Sequence, residues 1–297
     1  MKQYLDTVRE VLAKGTRKEN RTGVDTISTF NHNYEIDLRH GFPLLTTKQI
    51  SWKNIVVENL WFLSGETDIK ILQRHGCKFW DPWADPVTGK VPSAYGNFWR
   101  NFPVHRDGRA EFNDQLVWVL AELKRNPMSR RLVISAWAPE NAQQSALPPC
   151  HSIFMLNVQN GASGAPEDRT LNLHLTQRSC DVALGVPYNI AGYAFLLELF
   201  GRFSGIKPGI FAHTLVDAHI YTKKADGSMA EYDHVPGLEL QLKREVRPLP
   251  TLKIDPSIRT LDDVKPLMAE SSTEEILKRF ELRGYDPHPE IRFKVAV

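Results

Sequence analysis

The stretch PYNIAGYAFLLELFGRFSG, residues 187–205, gives the clearest structural signal in this sequence. It is apolar on nearly every side, and Pro187 stands in the first turn of the predicted helix, where a missing N–H is tolerated. A helix that is apolar all round must be buried on most sides, because its side chains gain free energy by leaving water. The stretch therefore predicts one long buried helix.

The flanking segments predict a mixture of strands and helices. Strand patterns occur at 25–38, 130–137, 152–158 and 170–177. Helical spacing of apolar residues occurs near the N terminus and at 51–65 and 113–127. The aromatic stretch 79–101, which is punctuated by Pro and Gly, predicts a structured loop. Because strands and helices do not alternate strictly, we expect a single α+β domain.

The charge balance argues against a nucleic-acid partner. The 297 residues include 37 basic and 35 acidic side chains, which gives a net charge of only +2. A DNA-binding domain is expected to be strongly basic, so we expect no DNA partner. Any site for an anion must therefore be built locally, by a few arginines.

The cysteines and the N-terminal residues indicate the compartment. The first twenty residues carry charges throughout, without the apolar core of a signal peptide, and no window is apolar for long enough to span a membrane. Cys77, Cys150 and Cys180 are too few for a disulfide framework and lack metal-ligand spacing. We therefore expect a cytoplasmic protein without a bound metal.

Cys150, in ALPPCHSIF (146–154), could be structural or chemical. A cysteine at the start of a strand is usually a small buried apolar residue. A nucleophilic thiolate would instead need cations nearby. His151 is a poor partner for it, because neighbouring residues on a strand point to opposite faces. The nine residues leave both interpretations open.

The candidate cations are arginines at the edges of regular elements, namely Arg21, Arg130, Arg131 and Arg178. A single arginine of this kind is usually a surface residue with a solvated head. Several converging arginines, together with the hydroxyl of Ser179, would form a phosphate site, because guanidinium groups match phosphate oxygens in geometry.

Two polar residues stand on the apolar helices. Glu58 lies within 51–65, where an unpaired acid costs free energy, so it is either paired with a core arginine or functional. Asn189 lies in the first turn of the long helix, where it could cap the helix or read the edge of a base. For an isolated asparagine at that position, we expect capping.

Taken in order, these fragments resemble the folate-dependent thymidylate synthase family along nearly the whole chain. The matching pieces are NRTGVDT, GFPLLTTK, ENLWFLSGET, FWDPWAD, SAYGNFWR, SRRLVISAW, LPPCH, QRSCDVALGVPYNIAGYA, DAHIY, REVRPLP and GYDPHPEIRFKVAV. The resemblance implies one α+β domain over 1–297. Its large mixed sheet would pack against the twin sheet of a homodimer and would be flanked by helices, including the long buried one.

The resemblance implies that Cys150 is the nucleophile that attacks C6 of dUMP. The other implied catalytic residues are Glu58, Tyr95, Asn189, Arg178 and Asp181. The implied contacts with dUMP are Arg21, Gln177, Arg178, Ser179, Asn189, His219 and Tyr221, with Arg130 and Arg131 donated by the second subunit. Asn189 would hydrogen-bond the uracil edge, and Glu58 and Tyr95 would work through ordered waters.

The resemblance also implies 5,10-methylenetetrahydrofolate as co-substrate, and no metal. Its implied contacts are Lys48, Phe79, Trp80, Trp83, Leu147, Asp181, Gly185, Tyr188 and Val297. Departures from the family's usual residues, such as Ser51, Tyr188 and Gly192, cluster around this pocket and the proton-handling waters more than around the phosphate site.

Two related activities follow from the resemblance. A thymidylate synthase transfers hydride to the methylene intermediate, whereas a deoxyuridylate 5-hydroxymethylase adds water to it. Trp80, Trp83 and the VAV tail favour a shielded site and hydride transfer, although the tryptophans could also be generic core. A nucleotide- or RNA-binding protein without turnover is disfavoured, because binding alone does not require Cys150.

Overall fold

The computed structural model describes residues 1–139, 145 and 147–296. Its α-helices span Lys2–Lys14 (α1), Trp52–Ser64 (α2), Ile69–Arg74 (α3), Tyr95–Arg100 (α4), Gln115–Arg125 (α5), Gly185–Ser204 (α6), Val235–Leu242 (α7), Leu261–Val264 (α8), Leu267–Glu270 (α9) and Thr273–Arg279 (α10). Short 3-10 turns lie at Leu38–His40, Asp81–Trp83, Pro166–Asp168 and Ala230–Tyr232.

The strands of the described chain form one large sheet and two hairpin-sized sheets. They span Thr16–Lys18 (β1), Asp25–Asp37 (β2), Phe102–Arg106 (β3), Arg109–Asn113 (β4), Val133–Ser135 (β5), His151–Gln159 (β6), Thr170–Gln177 (β7), Cys180–Asp181 (β8), Lys207–Thr222 (β9), Thr251–Ile254 (β10) and Phe280–Arg283 (β11). The large sheet has the order β1-β2-β9-β7-β6-β5, and β8 also pairs with β9.

This large sheet is mixed. The pairs β7–β9 and β8–β9 are parallel, whereas β1–β2, β2–β9, β6–β7 and β5–β6 are antiparallel. Helices flank the sheet, so the predicted α+β class with a large mixed sheet is confirmed. The four segments in which the sequence predicts strands correspond to β2, β5, β6 and β7.

Helix α6 is the long buried helix that the sequence predicts. It packs against α2, α5, β7 and β9, and residues such as Phe195, Leu196 and Leu199 are fully buried. It begins at Gly185, two residues before Pro187, and it ends at Gly205, which has the positive φ of 75° that favours glycine.

Helix α2 crosses the core beside α6. Ser51 caps its N terminus by accepting a hydrogen bond from the Asn54 backbone N–H, and Gly65 ends it in the left-handed conformation. The helix also touches α4 closely, because a methyl group on Gly96 would overlap the backbone of Phe62. This contact positions the side chains of α2 against those of α4.

The prediction of a loop throughout 79–101 is wrong for its last part. Residues Tyr95–Arg100 form α4, although Gly and aromatic residues have weak helix propensity. Burial of Phe98 and Trp99 in the core explains the difference, because tertiary packing outweighs local preference.

The two faces of the large sheet differ. In β7, Leu171, Leu173 and Leu175 are buried on the face that packs against α6, and Gln177 is the polar residue in the same row. The opposite face carries an open depression whose lining includes Glu35, Arg130, Val133, Met155, Asn157, Asn172, His174, Ile210 and Ala212. Within the described part of the chain, we find no helix with the length and apolarity needed to cross a bilayer.

Candidate active site

Cys150 stands just before β6, where several polar groups converge on its sulfur. Its Sγ lies 4.0 Å from Nη2 of Arg178. Burial raises the pKa of the Cys150 thiol, and four groups act in the opposite direction: the guanidinium of Arg178, the hydroxyl of Ser179, the guanidinium of Arg21 and the hydroxyl of Tyr95. The sulfur therefore has the cationic neighbours that a thiolate needs.

Arg178 also holds the loop that presents this sulfur. Its Nε donates to the carbonyl of Pro149 at 2.9 Å, and its Nη2 donates to the carbonyl of Pro148 at 2.7 Å. The Arg178 backbone N–H donates to the carbonyl of Cys150 at 2.9 Å. One arginine thus fixes three consecutive carbonyl groups and places its charge beside the thiol.

Tyr95 approaches the same loop from α4. Its hydroxyl oxygen accepts hydrogen bonds from the backbone N–H groups of Cys150 at 3.0 Å and His151 at 3.4 Å. Burial raises the pKa of Tyr95 well above its ordinary value, so the phenol keeps its proton. The His151 ring stacks on Tyr95 at 4.5 Å, and burial lowers its pKa to about 3, so the imidazole is neutral.

Glu58 faces an aromatic wall. Its Oε1 accepts a hydrogen bond of 2.8 Å from the indole Nε1 of Trp80. Burial raises the pKa of Glu58 to about 7, and the Trp80 hydrogen bond partly offsets that rise. The alternative of a salt bridge to a core arginine is wrong, because in the described residues no ion pair involves Glu58. The carboxyl can exchange a proton near neutral pH.

Trp80 joins Glu58 to the rest of this wall. Its side chain is only 6% exposed, and its rings contact those of Trp61, Phe62, Trp83 and Tyr95 at centroid distances between 5.6 and 6.4 Å. Glu58, Trp80 and Tyr95 therefore form one contiguous group, and Tyr95 connects it to the backbone of Cys150.

Asn189 does not cap α6, so that expectation is wrong. The helix begins four residues earlier, at Gly185, and its cap position makes no side-chain hydrogen bond. The Asn189 Oδ1 instead accepts a hydrogen bond of 3.0 Å from Nε2 of Gln177 in β7. Its amide also interacts with the side chain of His151. The asparagine is therefore oriented by groups of the sheet.

His219 and Tyr221 lie two residues apart on β9, so their side chains project from the same face. Their rings meet edge to face at 5.4 Å, and burial raises the pKa of Tyr221 to about 12. His219 lies opposite Asp181 of β8 in the parallel register. The sheet thus brings this pair next to the segment that follows Arg178 and Ser179.

The residues expected at the co-substrate pocket form two groups. Phe79 and Tyr188 meet edge to face at 5.0 Å, and the Tyr188 hydroxyl accepts a hydrogen bond of 3.4 Å from the backbone N–H of Ser51. Asp181 Oδ1 accepts from the backbone N–H groups of Ala183 and Leu184, at 2.9 and 3.0 Å.

Lys48 is buried beside this aspartate. Its ammonium group donates to the carbonyl of Ala183 and lies 4.6 Å from the ring centre of Phe293. Burial lowers the pKa of Lys48 to about 8. The ammonium group has three N–H donors, so it can keep its bond to Ala183 while it contacts an anionic ligand.

A family profile described as Thymidylate synthase matches residues 2–297. The chain belongs to the thymidylate synthase family. The resemblance inferred from the motifs is thereby confirmed. The family binds dUMP and folate substrates and uses methylenetetrahydrofolate as co-substrate, and it includes hydroxymethylases as well as synthases. Membership therefore establishes an enzyme of the methyltransferase type, and the exact product depends on the site.

The remaining expected residues of this family member are placed as follows. Gly185 begins α6, and a methyl group on it would lie 3.5 Å from the Asn189 Oδ1. Leu147 packs against the hydrophobic core. Arg130 and Arg131 are exposed, and Arg130 lines the depression on the open face of the sheet. Val297 lies outside the described residues.

The sequence does not predict two residues that lie near the site of this family member. Tyr34 and His213 pair across β2 and β9, and a hydrogen bond of 3.0 Å links His213 to Gln177. The sequence signal that could have identified them was His213, a histidine among the apolar residues that alternate along β9. Over residues 1–139, 145 and 147–296, no group of three or more His, Cys, Asp and Glu side chains is placed to hold a metal ion.

Proposed function

We propose that this family member is a thymidylate synthase that converts dUMP to dTMP, acting in the cytoplasm as a homodimer of a single domain over 1–297. Methylenetetrahydrofolate supplies the one-carbon unit and the hydride and leaves as dihydrofolate. The observation that carries the proposal is the contiguous group of Glu58, Trp80 and Tyr95 beside the cation-flanked sulfur of Cys150.

Cys150 acts as the nucleophile in this proposal. Its thiolate adds to C6 of the pyrimidine, and the negative charge that develops moves toward O4 of the ring. The proximity of Arg178 and Arg21 favours the thiolate over the thiol. The loop carbonyls held by Arg178 keep the sulfur in place during the attack.

The phosphate of dUMP binds where these cations converge. Arg21, Arg178 and Ser179 supply charge and a hydroxyl from this chain, and Arg130 and Arg131 of the partner subunit complete the site. Support for the second subunit comes from Arg130, which is exposed on the open face of the sheet. A twin sheet packed on that face carries its own arginines into the neighbouring site.

The nucleoside is held by residues of β7, β9 and α6. Asn189, oriented by Gln177, reads the uracil edge, and His219 with Tyr221 binds the deoxyribose hydroxyl. Glu58 exchanges protons with water near O4, because its pKa of about 7 leaves both protonation states accessible. Tyr95 orders the water that removes the C5 proton.

The folate co-substrate fits the residues around Trp80. Asp181 presents a carboxylate that two backbone N–H groups orient, so its second oxygen can accept from an N–H of the pterin ring. Apolar walls are supplied by Phe79, Trp80, Trp83, Leu147, Gly185 and Tyr188. Lys48 meets the glutamate tail, and Val297 closes over the bound pair.

The competing function is a deoxyuridylate 5-hydroxymethylase. It shares the Cys150 addition and differs only in admitting water to the methylene intermediate. The low exposure of Trp80, at 6%, and its packing against Tyr95 and Trp83 favour a site from which bulk water is excluded. Hydride transfer is therefore the better-supported outcome.

Product analysis tests the proposal directly. Purified protein is incubated with dUMP and methylenetetrahydrofolate, the nucleotide product is identified by mass, and dihydrofolate is measured in the same tube. We expect dTMP and dihydrofolate in equal amounts, and loss of both in a Cys150→Ser control. Hydroxymethyl-dUMP without dihydrofolate would establish the alternative, and unchanged dUMP would overturn both.

A further inference from the structure

A chain of hydrogen bonds between side chains runs through the sheet to Asn189. The Tyr34 hydroxyl lies 2.7 Å from Nδ1 of His213, and Nε2 of His213 lies 3.0 Å from Oε1 of Gln177. Gln177 Nε2 then lies 3.0 Å from the Asn189 Oδ1. The chain therefore links β2, β9, β7 and α6 in that order.

The register of the sheet explains why these groups meet. Tyr34 and His213 are directly opposite each other in the antiparallel β2–β9 pair. His213 is opposite Leu175 in the parallel β7–β9 pair, and Gln177 is two residues further along the same face of β7. All three side chains are buried, with exposures of 9%, 1% and 3%, respectively.

A backbone carbonyl sets the donor-to-acceptor direction of this hydrogen-bond chain. Gln177 Nε2 also lies 3.0 Å from the carbonyl oxygen of Ser179. A carbonyl can only accept, so the amide nitrogen of Gln177 must face Ser179 and Asn189. Its Oε1 must then face His213 and accept a hydrogen bond from that ring.

The tautomer of His213 follows from this constraint. Burial lowers the pKa of His213 well below its ordinary value, so the imidazole is neutral and carries a single N–H. That N–H is on Nε2, because it donates to Gln177. Nδ1 is consequently an acceptor, and the Tyr34 O–H is the donor that satisfies it.

We propose that Tyr34 and His213 are positioning residues for substrate specificity, which hold the Asn189 amide in the orientation that accepts a 4-oxo pyrimidine and rejects a 4-amino pyrimidine. This inference rests on the proposed function, in which Asn189 reads the base. Because Gln177 holds the Asn189 Oδ1, the Asn189 Nδ2 is available to donate to O4 of uracil. The 4-amino group of cytosine would place a donor against that donor.

Tyr34 matters because its hydroxyl supports, from the outer end of the hydrogen-bond chain, the direction that the Ser179 carbonyl sets at the inner end. Without the Tyr34 hydroxyl, the buried Nδ1 of His213 loses its donor, and the ring can change to the tautomer with the proton on Nδ1. Nε2 would then face the Gln177 Oε1 as an acceptor against an acceptor. Rotation of the Gln177 and Asn189 amides relieves that clash at the expense of the Gln177 bond to the Ser179 carbonyl, and it presents the Asn189 Oδ1 to a 4-amino group.

The test is equilibrium binding of dUMP and dCMP, without folate, to the full-length wild type and to Tyr34→Phe. We expect wild type to prefer dUMP and Tyr34→Phe to lower the ratio of the two affinities about tenfold, the equivalent of one mispaired buried hydrogen bond. Tyr4→Phe is the matched control, because it removes a buried hydroxyl that donates to the Val182 carbonyl outside this chain of bonds. It should leave the ratio unchanged.

A second pair of variants separates orientation from stability. Glutamine at position 213 can accept from Tyr34 and donate to Gln177, so His213→Gln should keep the preference, whereas His213→Phe should lose it. This pair decides the matter if Tyr34→Phe does not fold. An unchanged ratio in Tyr34→Phe, or equal ratios in the two His213 variants, would overturn the inference. Wild type that binds neither nucleotide would instead overturn the proposed function.

Discussion

Glu58 and Glu198 are two similar carboxyl groups in different surroundings. Glu58 belongs to α2 and Glu198 to α6, and burial raises the pKa of each from 4.5 to about 7. The indole of Trp80 donates to Glu58, next to Tyr95 and Cys150, whereas the shift at Glu198 arises from burial. A raised pKa therefore reports burial, and the neighbouring groups decide whether the carboxyl takes part in chemistry.

The largest expected difference between the two carboxyls is in turnover. Glu58→Gln should lower kcat by about 100-fold to 1,000-fold, because an amide cannot exchange the proton, and it should change the affinity for dUMP only slightly. Glu198→Gln should leave kcat within about twofold of wild type. Steady-state kinetics and dUMP binding measure both effects. Equal losses of kcat and of dUMP affinity in Glu58→Gln would assign that residue a structural role.

The second expected effect is on stability, and it should be the same in Glu58→Gln and Glu198→Gln. Each folded-state pKa lies above the value of 4.5 in the unfolded chain, so each carboxyl lowers stability as pH rises from about 4.5 to about 7. Replacement by glutamine should therefore raise the free energy of unfolding at pH 8 by roughly 3 kcal/mol and leave it unchanged at pH 4. Urea titrations at the two pH values measure this.

The gain in stability that both variants share separates a loss of activity from a loss of folding. If Glu58→Gln is stabilised at pH 8 like Glu198→Gln and yet loses turnover, its loss of activity cannot be due to unfolding. If either variant is less stable than wild type at pH 8, burial is not the cause of the raised pKa at that position.

The smallest expected effect concerns the indole that distinguishes Glu58 from Glu198. Trp80→Phe removes the donor that holds the pKa of Glu58 down, so that pKa should rise further. The limb of the pH–rate profile that reports Glu58 should move to higher pH, with a loss of kcat of only several-fold. Trp83→Phe keeps the Glu58–Trp80 bond and is the control. If the pH–rate profile of Trp80→Phe does not move, Trp80 has no role in setting the pKa of Glu58.

Much of the fold could be predicted from the sequence. The apolar run of α6, the alternation of β7 and the helical spacing of apolar residues in α2 are local patterns, and each one predicts an element that the structure contains. The helix α4 was missed, because its formation depends on burying Phe98 and Trp99 rather than on local preference.

The site was harder to predict from the sequence, because its residues make contacts with residues far away in the chain. Glu58 could be singled out as an acid on an apolar helix, but its partner Trp80 is 22 residues away. Asn189 was expected to cap α6, since nothing local shows that Gln177 of a neighbouring strand takes its Oδ1. The family motifs supplied candidate residues, and only the fold supplied their hydrogen-bond partners.

The contact between Gly96 and the backbone of Phe62 has a consequence for local opening. It joins the C-terminal half of α2 to α4, and the Phe62 ring also meets the rings of Tyr95 and Trp99. Segments packed this tightly open and close as one cooperative unit. We therefore expect Glu58 and Tyr95 to belong to a single unit of local unfolding, with the amides of α2 and α4 becoming accessible to hydrogen exchange together.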